Sequence, residues 1–365
     1  MKAFLRRYRA QLRWLAGLAA FFAVYFPLRT CRGAMNWLCG RVILPLELAL
    51  GRLCSVTSVS VAEVLILSGI FAAVFYLAWQ VRCLIARPQK GQRAVRMALT
   101  VLCAGLSIYA GFCLLWGVFY GADSFQDKSG LTARGGTVEE LTALTERFAR
   151  EVSAVGDQVQ RDENGCFAVP RSEIFAEAMS AYDGVVQVFD CLKKPAVMPK
   201  AFVSSRGMSY LDFSGFYFPF TGEANLNVES PACYLPVNIC HELAHQQGIA
   251  SEQACNFVGI VAAVLSDSSV YRYSGYLSGY VHLANALYSA DHDAWQSIRE
   301  SLPETVRADL QQNHAYWAQF SGPVQTAANT VYDGFLKSNG LSDGIQNYGT
   351  VVNLLLAYYG GSDVI

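Results

Sequence analysis

The chain has 365 residues, with 28 basic and 29 acidic side chains and a formal net charge of −1. This balance gives no overall positive field, which argues against nucleic acid as a partner. Hydrophobic residues make up 53% of the chain and charged residues only 16%, which is too apolar for an ordinary soluble protein. The length suffices for a membrane region and one sizeable soluble domain.

Three apolar stretches predict transmembrane helices, at about residues 13–30, 60–81 and 97–122. The third is the clearest, because it runs for 26 residues without a formal charge. The first is the shortest, and its basic flank also resembles that of a signal peptide. Residues 27–31 lack the small side chains of a cleavage site, so we favour an uncleaved helix. The predicted membrane region is therefore 1–122.

Basic residues predict the orientation of these helices. Five Lys or Arg residues lie in the first 13 positions and five between the second and third helices, whereas the longer first connection carries four. The positive-inside rule then places the N-terminus in the cytoplasm and everything after Ala122 outside. We therefore expect a multi-pass protein in the lipid bilayer of the cell membrane, with an extracytoplasmic domain at 123–365. Leu38 to Leu53 is either an interfacial helix or a loop packed on the spans.

The domain is predicted to be mainly α-helical with a small β-sheet. Helical spacing of apolar residues predicts helices at 137–160, 171–189, 271–289, 302–320, 324–338 and 351–359. Phe216 to Phe220 instead predicts a strand, with Ala224 to Val228 as its partner. Pro219 cannot donate to a ladder, so this strand belongs at a sheet edge. There it could pair with an extended peptide substrate, and a plain structural hairpin is the alternative.

The motif His241-Glu242-Leu243-Ala244-His245 carries the chemistry. Two histidines four residues apart share one face of a helix, so both imidazoles can reach one metal ion. Pro236 and Gly248 are typical of the start and the end of such a helix. Ser251 is a suitable N-cap for the next helix, on which Glu252 is a candidate third ligand.

Two histidines and one glutamate would leave the fourth position of a zinc ion open, as a catalytic zinc requires. Asn256 follows Glu252 by four residues and shares its helix face, so it could hydrogen-bond a ligand. Two alternatives stay open. A buried helix can hold two histidines without a metal, and a metal site can be retained without activity.

These segments resemble an uncharacterised family of bacterial membrane proteins, catalogued as a domain of unknown function and regarded as zincin-like. The resemblance rests on residues 215–225, 235–236, 241–246, 248–256 and 273–276. More distantly, the arrangement is similar to gluzincin peptidases, whose third ligand is a glutamate on the next helix. The family often has Glu-x-Glu-Ala-Asn, and here Ala254 replaces the second glutamate. Glu252 is favoured, because its spacing to Asn256 matches the gluzincin pattern.

The resemblance implies a membrane-anchored peptidase that binds Zn²⁺ through His241, His245 and Glu252. Peptide hydrolysis would use a water molecule activated at the zinc, with Glu242 as general base. A further hydrogen-bond donor would stabilise the oxyanion, and we predict Tyr273 for this role.

Arg272 and His282 are alternatives to Tyr273, and each of the three also has a plain structural explanation. Two other functions stay open. One is a catalytically inactive envelope module that retains the fold, and the other is a protease that cuts within the bilayer. The amphipathic flanks of the motif argue against the second. The domain holds five cysteines, an odd number without the spacing of a disulfide framework, so at least one is unpaired within the chain. Cys240 and Cys255 flank the two metal helices and could approach each other or pack as small apolar side chains, and we favour packing.

Overall fold

The structure is a computed structural model that describes residues 2–338 and 348–360. Its N-terminal part is helical. In chain order the helices are α1 (Lys2–Arg7), α2 (Arg9–Arg29), α3 (Arg32–Leu38), α4 (Leu44–Cys54), α5 (Val61–Ala86) and α6 (Lys90–Leu115). A π-helical turn at Cys39–Ile43 joins α3 to α4, and a 3₁₀ turn at Gly117–Gly121 follows α6.

Helices α2, α5 and α6 are long and apolar enough to cross a membrane, as the three apolar stretches predicted. Helix α5 continues five residues beyond the predicted end at residue 81, and α6 begins seven residues before the predicted start at residue 97. The reason is that a basic side chain ends an apolar stretch but not a helix. Its long stem lets the charge reach water while the backbone stays helical.

The connection between α2 and α5 is helical as well. The segment for which a helix and a loop were both considered, Leu38 to Leu53, therefore forms helix throughout. It packs against the part of the chain that follows residue 122. A Cβ added to Gly51 would lie 2.6 Å from the carbonyl oxygen of Gly222. Gly222 itself has a φ of +65°, which glycine adopts at little cost.

The rest of the chain is mainly helical, as predicted. Its helices are α7 (Phe125–Ser129), α8 (Val138–Gly156), α9 (Arg171–Ala176), α10 (Val185–Val188), α11 (Ser205–Tyr210), α12 (Leu235–His245), α13 (Glu252–Val264), α14 (Ser269–Ala290), α15 (His292–Ser301), α16 (Glu304–Ala318), α17 (Pro323–Ser338) and α18 (Tyr348–Tyr359). Two 3₁₀ turns lie at Ser180–Tyr182 and Ala232–Tyr234. Only the helix predicted at 171–189 is interrupted, giving α9, a 3₁₀ turn and α10.

A sheet of three strands completes the fold: β1 (Lys200–Phe202), β2 (Gly215–Phe218) and β3 (Glu223–Asn227). The strand order is β1-β3-β2, with β2 antiparallel and β1 parallel to the central β3. Strand β2 therefore lies at an edge, and Pro219 directly follows it, in agreement with the sequence. The hairpin was predicted, whereas β1, with three residues, is too short to give a pattern.

Helix α13 is buried at the centre of the part that follows residue 122. From Phe257 to Val264 every residue on it is buried, α12, α14 and α18 pack against it, and α8 packs on α14. Gly259 lets α12 approach closely, because a Cβ there would lie 3.0 Å from the backbone nitrogen of His241. This packing fixes the relative position of α12 and α13, the two helices that carry the histidine motif and Glu252.

Candidate metal centre

The two helices of the site begin and end where the sequence predicted. Helix α12 carries Pro236 in its first turn and ends at His245, and Gly248 follows with a φ of +79°. Helix α13 starts at Glu252, and the side chain of Ser251 caps it by accepting a hydrogen bond from the nitrogen of Ala254. The short turn between the helices therefore brings Glu252 back toward the histidines.

Three ligand atoms converge at this point. The Nε2 atoms of His241 and His245 are 3.1 Å apart. The carboxylate of Glu252 lies 3.2 Å from the first of them and 3.6 Å from the second. Ligands of a tetrahedral zinc, at bond lengths of about 2.0–2.1 Å, are separated by about 3.3 Å. The three side chains could thus hold one metal ion, and their donor set and spacing fit zinc.

The ring of His245 is oriented for metal binding. Its Nδ1 lies 2.8 Å from the carbonyl oxygen of Ile249. A carbonyl oxygen can only accept, so Nδ1 donates its proton there and Nε2 is the ring atom left to face a metal. The Cys255 thiol also donates to this carbonyl, at 3.3 Å. Cys255 and Cys240 are buried free thiols, which agrees with the packing role that the sequence suggested.

Glu252 is held as an anion. Burial alone would raise the pKa of its carboxyl group, but the neighbouring His245 and His241 outweigh burial and hold that pKa well below its usual range. The hydroxyl of Tyr332, on α17, donates to Oε1 of Glu252 over 2.6 Å. A hydrogen bond of this kind orients a ligating carboxylate, as is common around protein metal sites.

Glu242 lies beside the ligands in a buried position. Its Oε2 atom makes no hydrogen bond to any residue in the described part of the chain. Burial raises the pKa of this carboxyl group to about 7. The backbone of β2 passes so close to Glu242 that a Cβ added to Gly215 would lie 2.5 Å from Oε1 of Glu242. A buried carboxylate that can accept a proton thus sits next to the metal ligands and close to the edge strand.

The site opens into a cavity of about 360 Å³. Besides the metal group, three parts of the chain form its walls. Strand β2 with the residues before it forms one wall, α17 contributes Asn329 and Tyr332, and the end of α6 contributes Phe112 and Trp116. The Trp116 ring packs edge-on against that of His245, with centroids 5.6 Å apart. A volume of this size is typical of small-molecule or peptide-binding sites.

Sequence reasoning missed two of these residues. Tyr332 lies 80 positions after Glu252 along the chain, and no local pattern distinguishes it from the other 18 tyrosines. In the sequence, Trp116 is only one member of the third apolar stretch. It lies six residues before the predicted end of that stretch, and tryptophan is enriched near the ends of membrane helices, which is the one available signal.

The structure does not bring Tyr273 to the site. Its hydroxyl donates to the buried carboxylate of Asp309, and the guanidinium of Arg161 lies over its ring at 4.8 Å. Arg161 and Asp309 also form an ion pair of 2.6 Å. Tyr273 thus belongs to a buried polar cluster within the core, and the predicted role as an oxyanion donor does not fit this position.

The other two candidate oxyanion donors, Arg272 and His282, lie in different surroundings. Arg272 donates to the carbonyl oxygens of Ser266 and Asp267, which caps the preceding turn. His282 lines a second cavity, of about 390 Å³, which shares Asn238 with the first. Burial and the nearby His241 lower the pKa of His282 to about 4, so its ring is neutral. Of the three candidates, His282 is the one that lines a cavity sharing residues with the cavity of the metal group.

The fold and site define a mostly helical protein with three helices long and apolar enough to cross a membrane and a two-histidine, one-glutamate group in the part that follows them. Residues 44–356 match the family described as a protein of unknown function, DUF3810. Because the match covers most of the chain, the protein belongs to this family. Neither the curated proteins nor the solved structures contain a match.

Proposed function

We propose that this protein is a membrane-anchored, zinc-dependent peptidase with a zincin-like domain of the gluzincin type. One observation carries the proposal. The donor atoms of His241, His245 and Glu252 lie within 4.8 Å of one another, and the buried carboxylate of Glu242 stands beside them in an open cavity. A set of three protein ligands that leaves a fourth position free is the arrangement of catalytic zinc.

Zn²⁺, when bound, would act as a Lewis acid that polarises a carbonyl and makes a bound water more acidic. The protein's own residues would perform the proton transfers. Glu242 would accept the proton of the attacking water and pass it to the leaving amine. Its burial and raised pKa suit this role, because a base is most effective when its pKa lies near the working pH. A cation beside it would lower that pKa somewhat.

Strand β2 offers a binding edge for an extended substrate. One side of it pairs with β3, and its other side has no strand partner within the described residues. Gly215, Phe216 and Tyr217 of this strand also line the cavity. A peptide that added to this edge would pass above Glu242, and its side chains would alternate toward and away from the metal. The residues near Phe216–Phe220 are therefore the proposed peptide site.

The basic residues support an extracytoplasmic position for the site. The end of α2 lies against the 3₁₀ turn after α6, since a Cβ on Gly121 would contact the carbonyl oxygen of Arg29. At the opposite end of the same helices, Tyr8 donates to the carbonyl oxygen of Gln92. The site thus lies at the less basic end of these helices, which the positive-inside rule assigns to the outside.

The proposal is tested by measuring zinc in the full-length protein in detergent, with elemental analysis. We expect one zinc per wild-type chain and loss of that zinc in His245→Ala. His314→Ala, at an exposed histidine of α16, is the matched control and should keep it. A folded, zinc-supplied wild-type protein without zinc would refute the proposal.

Catalysis needs a separate measurement. Hydrolysis of a quenched fluorogenic peptide library by the zinc-loaded protein should be abolished in Glu242→Gln, while the zinc content stays unchanged. That pairing separates loss of the base from loss of the metal. A zinc-loaded wild-type protein that cleaves none of the tested peptides would instead favour a catalytically inactive envelope module that retains the metal.

A further inference from the structure

The wall of the cavity includes the end of a candidate membrane helix. Phe112 lies in the last turn of α6 and Trp116 directly follows it, and both line the cavity that contains the metal group. The Trp116 ring also packs on Tyr217 of the edge strand, with centroids 5.3 Å apart. The ring of Trp116 therefore connects the end of this helix directly to the metal group.

The position of Trp116 relative to a bilayer follows from the length of α6. The last basic residue of this helix is Arg96, and Met97 to Trp116 is a stretch of 20 residues without a formal charge. Twenty helical residues span about 30 Å, the thickness of the hydrocarbon core. With its basic residues at one surface, α6 would place Trp116 at the other, where tryptophan is enriched. The cavity wall then lies at the level of the lipid headgroups.

The sheet is fixed to the same level by a second membrane helix. Glu223 of β3 accepts hydrogen bonds from the first backbone nitrogens of α5, those of Val61 and Ala62, at 3.1 and 2.7 Å. Its Oε1 also pairs with Lys200 of β1 over 2.7 Å. Both side chains of this pair are buried. A carboxylate at a helix N-terminus is stabilised by the helix dipole. These hydrogen bonds and the ion pair therefore hold β3 against the N-terminus of α5.

A further contact of the same kind lies at the next residues of α5. The carboxylate of Glu63 accepts hydrogen bonds from the backbone nitrogens of Val203 and Ser204, at 2.8 and 2.7 Å. These residues follow β1 directly. The soluble part is thus joined to α5 through two strands of the sheet and to α6 through the cavity wall. Because these contacts, and not a flexible linker, connect this part of the chain to α5 and α6, the height of the cavity above the bilayer is fixed.

We propose that the substrates are polypeptides anchored in the same membrane, cut within a few residues of the point where they leave the bilayer. This inference rests on the proposed peptidase function and names its substrate class. The headgroup layer on each side of a bilayer is about 5–8 Å thick, and the Trp116 and His245 rings lie 5.6 Å apart. An extended chain rises about 3.3 Å per residue, so about three to five residues bridge the distance from the hydrocarbon core to the metal group. A folded soluble protein would have to bring its loop down to the lipid surface.

The test uses the full-length, zinc-loaded protein in phosphatidylcholine vesicles, with a quenched fluorogenic library of random decapeptides in three forms. One form carries a dipalmitoyl anchor joined directly to the decapeptide, and two acyl chains keep it in the bilayer. The second form carries the same anchor followed by twelve prolines, which extend about 37 Å as a stiff spacer. The third form is the free library. Glu242→Gln is the inactive control.

We expect the directly anchored library to be cut at least about tenfold faster than the proline-spaced one, with cuts within about five residues of the anchor. The two anchored forms reach the same concentration at the bilayer surface. A difference between their cleavage rates therefore reports the height of the decapeptide above the bilayer and not its enrichment at the surface. Equal rates for both anchored forms would refute the inference and leave the peptidase function standing. If none of the three forms is cut, the peptidase function fails, and the inference fails with it.

Discussion

Replacing Gly215 by alanine provides a sharp test of the site, because the change is small and its target is a single side chain. The added Cβ would lie 2.5 Å from Oε1 of Glu242, 2.8 Å from its Cγ and 2.9 Å from its Cδ. An ordinary contact needs about 3.4 Å, so the carboxylate must move by about 0.9 Å. Glu242 is only 3% exposed, so its neighbours restrict where the carboxylate can go.

The expected loss follows from that displacement. A misplacement of about 1 Å at a reacting group costs about 10²-fold in rate, and the whole contribution of a general base is about 10²–10⁴-fold. We therefore expect kcat/KM of Gly215→Ala to fall about 10²-fold. The zinc content should stay at the wild-type value, since the metal ligands lie on α12 and α13. The assay is hydrolysis of the anchored fluorogenic library, together with elemental analysis of the same preparation.

Gly207→Ala is the matched control, because Gly207 is exposed and no atom lies within 4 Å of its added Cβ. It should keep full activity. Wild-type activity in Gly215→Ala would show that Glu242 is not the base, or that β2 does not lie against it. Loss of zinc together with activity would contradict the separation of base and ligands on which the reasoning depends.

The other predictions concern the surroundings of the site. Tyr332→Phe removes the hydrogen bond to Glu252 and should weaken zinc binding about tenfold in a chelator competition. Burial raises the pKa of Glu47 to about 9. The folded state therefore holds a proton that the unfolded state releases above about pH 4.5, and stability falls as the pH rises toward 9. Glu47→Gln should raise the unfolding midpoint at pH 8 and much less at pH 5, whereas the exposed control Glu146→Gln should change neither. Lys200→Met leaves a buried carboxylate without its partner and should cost about 3–5 kcal/mol, seen as a lower midpoint in thermal unfolding in detergent.

The metal group could be predicted from the sequence because its geometry is local. His241 and His245 are neighbours on one helix face by their spacing alone. The turn that returns Glu252 is marked by Gly248, which ends the first helix, and by Ser251, which caps the second. Each of these signals acts over a few residues, and the chain's own stereochemistry fixes the result.

The remainder of the site depends on contacts between residues far apart in the chain, and for these the sequence has no rule. Tyr332 reaches Glu252 only because α17 packs across the cavity. Tyr273 was a reasonable choice by its position near the motif. It faces Asp309 instead, because on a helix a shift of one or two residues turns the side chain to another face.

The same division applies to the fold. Long helices with regular apolar spacing, such as α8 and α14, were predicted to within a few residues. The helix predicted at 171–189 is not continuous, since α9 ends at Ala176. Just before α10, Gly184 lies against the backbone of Leu265, and a Cβ there would be only 2.3 Å from the carbonyl oxygen. That close approach is a tertiary requirement, which local apolar spacing cannot reveal.

The boundary predicted at residues 122 and 123 separates two compositions, but the structure joins them through buried polar groups. Glu223 and Lys200 belong to the sheet, while two of the donors to Glu223 are backbone nitrogens of α5. The ammonium group of Lys200 also donates to the carbonyl oxygens of Cys54 and Val59. Without residues 1–122 this buried pair would lose most of its partners, and an unpaired buried charge costs several kcal/mol. The same contacts that stabilise the sheet therefore also fix the position of the metal group relative to α5.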